Sequence, residues 1–263
     1  MHATKIIAEI GLIFSQPVTL VIAFLLGTFF LNTKAFSKAF MLMLFTMIYN
    51  LYLKSIWQIP LEPPLEGWAF PSGHMHAAWV FWGWLVCHYK KWSLFATFLV
   101  AMSLATFGMI DHGYHNIIDV LGAIGFGSLS LLIFYGLNRT VVFKENMFVA
   151  SVLISGLGLL FLCMMPASVQ TKLHIWQAQG GLLGLSLGWL YYNPSHTSLK
   201  LYHKVIMLLS CVAGMAGLHF ALLHPPTQFN AQLFTAIKTF LLAVWILLSQ
   251  RLFTHIFCRY FKC

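Results

Sequence analysis

The residues best equipped for chemistry in this chain stand in a short polar turn, Pro71-Ser72-Gly73-His74, lodged between apolar runs. Pro71 is disfavoured inside a helix, and Gly73 lets a backbone approach something closely. Ser72 supplies a hydroxyl, and His74 an imidazole that titrates near neutral pH. A turn of this kind opening a helix presents backbone N–H donors and an imidazole to an anion at the helix's positive end. His76 adds a second imidazole two residues on.

A second cluster reads Asp111-His112-Gly113-Tyr114-His115-Asn116-Ile117-Ile118-Asp119. If a helix begins near residue 115, His115 and Asp119 lie four apart on one face. A carboxylate one turn from an imidazole fixes its tautomer and stabilises its cation, as in a nucleophile–orienter pair. Asp119 at a membrane edge is costly unless paired, which again points to a histidine partner. A third polar group, Lys54, ends the apolar run before the turn, where a lysine also commonly snorkels to the headgroups. The imidazoles of His74, His76, His112 and His115, with Asp111 beside them, would also suit zinc or non-haem iron. A glycine-serine turn has no use in such a site, so neither metal nor other cofactor is expected.

These groups must be positioned by membrane helices. The chain has 263 residues, 60% of them hydrophobic and only 8% charged, against about 25% charged in a soluble domain. The formal charge of +9 is spread singly or in pairs between apolar runs, which is how membrane loops look and excludes nucleic acid as a partner. The five cysteines show no C-x-x-C spacing and read as packing residues. No cleavable signal is evident at the N-terminus.

The expected fold is an all-α, polytopic integral membrane helix bundle of about nine transmembrane helices. The candidate spans are 17–33, 37–54, 74–89, 92–110, 117–137, 146–166, 175–192, 204–223 and 232–250, with residues 2–16 as an amphipathic segment that lies in the interface or extends the first span. Nine spans place eleven basic residues on one side, Lys34, Lys38, Lys90, Arg139 and Lys144 among them, and four on the other. By the positive-inside rule the C-terminus is cytoplasmic, and Lys54, Ser72, His74, His76, His112, His115 and Asp119 meet at the non-cytoplasmic face. Gly180, Gly184 and Gly188 form a small-xxx-small face suited to close helix packing. The chain divides into an N-terminal segment (1–35), a core carrying the polar motifs (36–140) and additional helices (141–263).

Across 36–137 the sequence resembles the type 2 phosphatidic acid phosphatase superfamily, which includes lipid phosphate phosphatases and glucose-6-phosphatase. Its motifs run K-x6-R-P, P-S-G-H and S-R-x5-H-x3-D. Pro71-Ser72-Gly73-His74 matches the second in full, His115 and Asp119 match the end of the third, and Lys54 stands where the first lysine belongs. Both motif arginines are absent: their positions hold Leu61 and Met109, and Gly108 stands for the serine. The resemblance implies that His115 attacks phosphorus, His74 protonates the leaving oxygen and Asp119 orients His115. It implies that Lys54, Ser72 and Gly73 bind phosphate. His112 and His76, if protonated, are the candidates to replace the arginines.

The function expected on this basis is hydrolysis of a lipid-linked phosphate monoester or pyrophosphate through a phosphohistidine, with a phosphorylated lipid as substrate and membrane lipids as surroundings. A lipid phosphotransferase using the same histidines, the His-x3-Asp-Val run also resembling sphingomyelin-synthase motifs, and a non-catalytic, degenerate member are the alternatives.

Overall fold

In the computed structural model, residues 2–192, 199–223 and 230–261 are described. The apolar run before the turn forms helix α3 (Thr33–Trp57), with the Asn32 side chain capping its start by accepting from the Ala35 amide at 2.9 Å. Apolar residues surround α3 on every side, the pattern of a helix with no solvated face. It is accordingly buried on most of its surface. It packs against α2 (Pro17–Phe30), α4 (Gly73–Tyr89), α6 (Ile117–Leu137), α8 (Met147–Met164) and α10 (Leu173–Tyr191). The remaining helices are α1 (His2–Ile13), α5 (Trp92–Asp111), α7 (Val141–Glu145), α9 (Ala167–Gln170), α11 (Leu201–Ala221) and α12 (Ala231–Phe261). Among the described residues the only strand-like feature is an isolated antiparallel bridge between Pro60 and Trp68.

The protein is an all-helical bundle with helices built to cross a membrane. Six described helices, α3, α5, α6, α8, α11 and α12, are long and apolar enough, and a seventh span results if the α1–α2 pair, bent by 51°, is counted as one. This standard does not reach the expected nine. Helix α4 has only 17 residues, and the apolar residues of α10 are diluted by Gln177, Gln179 and its glycines. Both are heavily buried, and a helix shielded by its neighbours needs less apolar surface than one facing lipid. Large apolar side chains cover the outer faces instead, such as Val100, Leu132, Leu209 and Phe220, each at least 60% exposed. A continuous apolar surface of this kind fits lipid, not water.

Two helix pairs approach closely through glycine. A Cβ on Gly180 would lie 2.1 Å from the Ala236 carbonyl oxygen, and one on Gly184 2.3 Å from that of Phe240. The small-residue face is therefore the seam between α10 and α12. Gly11 and Gly108 do the same between α1 and α5, where added Cβ atoms would meet the carbonyl oxygens of Leu104 and Ala8 at 2.1 and 2.4 Å. Within segment 2–16, α1 is thus a helix laid along α5. Helix α12 also runs on to Phe261, eleven residues beyond the expected end of the last span at 250. One apolar core joins the whole bundle, from Leu12 to Phe257.

Candidate active site

The polar motifs meet where α3 ends and α4 and α6 begin. Ser72 caps α4, its hydroxyl oxygen accepting from the Met75 amide at 3.5 Å. Asn116 and Asp119 form a capping box on α6: the Asn116 side chain accepts from the Asp119 amide at 2.9 Å, and the Asp119 carboxylate from the Asn116 amide at 3.1 Å. The two helix starts are joined directly, because the Ser72 amide donates to the Asp119 carbonyl at 3.0 Å. Two positive helix ends therefore lie side by side, a setting that favours an anion.

His115 lies in the short loop before α6, its Nδ1 3.4 Å from Asp119 Oδ2. The atoms are close but not aligned as a hydrogen bond. Turning Nδ1 toward the carboxylate leaves Nε2 for chemistry. The ring is largely buried, and Asp119 more so. Burial pushes the His115 imidazole down to about 4; Lys54 and His74 push the same way, while Asp119 opposes them. His115 is thus neutral at neutral pH, the state a nucleophile requires.

Lys54 sits in the last turn of α3, half-buried, and donates to the Trp68 carbonyl. Its charge reaches His74, His115 and Asp119. His74, in the first turn of α4, is exposed. Lys54, His74, His115 and Asp119, drawn from three separate stretches of sequence, are therefore one electrostatic cluster.

The other expected site residues are placed differently. Ser72 is fully buried, capping α4 and donating to the Met109 sulfur at 3.6 Å. Gly73 faces Asn50, and a Cβ there would meet the Asn50 side-chain oxygen at 3.3 Å. His76 is also fully buried, with Nδ1 3.2 Å from the Asn50 side-chain nitrogen. It supports the turn from inside, and the structure does not bring it to the exposed face with His74. His112 is exposed, its Nδ1 donating to the Gly108 carbonyl at 3.0 Å. Among the described residues, no three His, Cys, Asp or Glu side chains are close enough together to hold a metal ion.

The positions where the resemblance expects serine and arginine are used for packing. Gly108 admits the backbone of α1, and Met109 is buried against Ser72.

Two residues escaped the sequence reading. Asn50, one turn before Lys54 on the same face of α3, donates to the Pro71 carbonyl at 3.2 Å as well as to His76. A lone asparagine inside an apolar span was the available signal. His174, exposed at the start of α10, is close enough to Lys54 to feel its charge. Nothing in its spacing linked it to the motifs. In comparisons with protein-family models, with curated proteins and with solved structures, nothing matches the chain.

Proposed function

We propose that the protein is a membrane phosphatase of the type 2 phosphatidic acid phosphatase kind, hydrolysing a phosphorylated lipid. The observation that supports this best is the clustering of Lys54, His74, His115 and Asp119 beside two helix starts. His115 Nε2 attacks phosphorus, the ester P–O bond breaks, and the leaving oxygen takes a proton from His74. Water then attacks the phosphohistidine, giving its proton to His74, which releases phosphate and restores both rings. Asp119 holds His115 in orientation, and Lys54 with the helix ends offsets the developing charge.

In this reading the chain crosses the membrane nine times, with α2, α4 and α10 joining the six long apolar helices. The cluster lies at the non-cytoplasmic face and the C-terminus in the cytoplasm, as the basic-residue distribution suggests.

The test is phosphate release by the purified full chain in detergent–lipid micelles. Phosphatidic acid, a prenyl pyrophosphate and a soluble sugar phosphate serve as substrates, with His115→Ala as control. Release from a lipid substrate that His115→Ala abolishes is expected. No release from any substrate would leave a degenerate site, and release unchanged in His115→Ala would remove the proposed nucleophile.

A further inference from the structure

A cavity of about 690 Å³ opens at the other end of α3, α4 and α6, away from the cluster of His74 and His115. Lys38, which lines it, lies sixteen residues before Lys54 on the same helix, a separation of roughly 24 Å. The start of α3, the ends of α4 and α6, and α7 form its walls.

The lining is strongly basic. Lys34, Lys38, Lys90, Arg139 and Lys144 all contribute, and Glu145 is the single carboxylate. Glu145 is itself 3.8 Å from Lys144. Among the described residues, Lys34, Lys38, Lys90 and Arg139 have no carboxylate within ion-pair distance. Lys38 is only 6% exposed, and its ammonium group donates to the Asn138 side chain at 2.5 Å. An ammonium has three donors, so this bond leaves two to be satisfied. Arg139 is held over the Tyr135 ring at 5.0 Å, which aims its guanidinium without neutralising it. A buried ammonium among like charges is costly unless an anion joins it. The start of α3 adds a positive helix end to the same wall.

We propose that this cavity is a binding site for a phosphate-bearing anion, independent of the histidine cluster. Arginine and lysine around a helix start are the donors that fit phosphate oxygens. The ligand chemistry is shared by an anionic phospholipid headgroup and by a soluble phosphate. The site's place at one end of a lipid-facing bundle suits the headgroup.

The experiment uses the full chain in neutral detergent. One arm measures retention of phosphatidylglycerol against phosphatidylcholine by native mass spectrometry. A second measures the thermal shift produced by inorganic phosphate. Both are repeated with Lys34→Gln/Arg139→Gln, which changes the outer residues, and with Lys38→Met, which keeps the buried stem and removes the charge.

Selective retention of phosphatidylglycerol, weakened roughly tenfold or more by either variant and unchanged in His115→Ala, is the expected result. Stabilisation by inorganic phosphate with the same variant dependence, and no lipid retention, would support the anion site with a soluble source. If neither probe binds, or if binding is the same in all variants, the proposal is overturned. The His115→Ala arm keeps its failure separate from that of the proposed phosphatase activity.

Discussion

Ser72 and Met109 meet hydroxyl to sulfur at 3.6 Å, both withdrawn from the surface. The serine of the Pro-Ser-Gly-His turn thus faces Met109, the position at which the sequence resemblance would expect an arginine. In Met109→Arg an unpaired guanidinium replaces the thioether in this buried position. The variant should lose roughly 2–5 kcal/mol of stability without ligand, through desolvation and overpacking. If the adjoining helix starts receive phosphate, phosphate or vanadate should recover more of the melting temperature in the variant than in wild type. Equal ligand shifts in the two chains would place the anion elsewhere.

Asn50 ties the turn to α3 from below, its side-chain nitrogen shared between the Pro71 carbonyl and His76 Nδ1. Asn50→Leu keeps the volume and removes both bonds, leaving two buried acceptors unpaired. The expected cost is roughly 2–4 kcal/mol, read from the melting temperature. Because the turn carries His74, turnover should fall as well. A variant as stable as wild type would mean that the turn holds its shape through Ser72 and its backbone bonds alone.

His115 gives the site a defined acid response. In the folded chain burial holds its imidazole at about 4, whereas an unfolded histidine titrates near 6.5. Between these values the unfolded state binds more protons, so this group makes stability fall as pH drops from 6.5 toward 4. Above 6.5 the penalty is absent. His115→Gln should therefore show a shallower loss of melting temperature between pH 7 and pH 5 than wild type. Site-mapped carbethoxylation, which needs a neutral ring, should still label His115 at pH 5. Labelling that fades with a midpoint near 6.5 would show that Asp119 fully offsets burial and the neighbouring charges.

The helical membrane bundle was legible because apolar runs of spanning length need no tertiary information to be recognised. The closeness of His115 to Asp119 was legible from their spacing of four, although His115 stands in the loop ahead of the Asn116 cap and not on a face of α6. Where contacts are long-range, the sequence was silent. Ser72 and Met109 are 37 residues apart, and Asn50 and His76 are 26 apart. Nothing local distinguishes a histidine that opens to solvent, as His74 does, from one that supports the turn internally, as His76 does. The use of Gly108 to seat α1 was equally hidden, because α1 is remote in sequence from α5.

The α10–α12 seam should be intolerant of even one methyl group. A Cβ at Gly184 would lie 2.3 Å from the Phe240 carbonyl oxygen and 2.8 Å from the Ala243 Cβ. Backbone cannot move aside as a flexible side chain would, so Gly184→Ala should separate the helices at a cost of roughly 1–3 kcal/mol. Gly156→Ala, on α8 with open space around it, is the control and should be neutral or slightly stabilising. Equal melting temperatures for the two variants would mean that α12 shifts freely against α10.

Sidedness is the remaining expectation, and single-cysteine labelling reads it directly. Glu66 and Lys144 are exposed and lie at opposite ends of the α3–α4–α6 core. Each becomes the sole cysteine once Cys87, Cys163, Cys211, Cys258 and Cys263 are replaced. Cys211 is fully buried, so alanine or serine there needs a check of folding before the labels are compared. If the histidine cluster faces outward, a reagent that cannot cross the membrane should label Glu66→Cys in intact cells. It should label Lys144→Cys only after permeabilisation. Labelling of Lys144→Cys alone in intact cells would invert the bundle and place the cluster on the cytoplasmic side. The cavity around Lys38 would then face outward, and its anion would have to come from the outer leaflet.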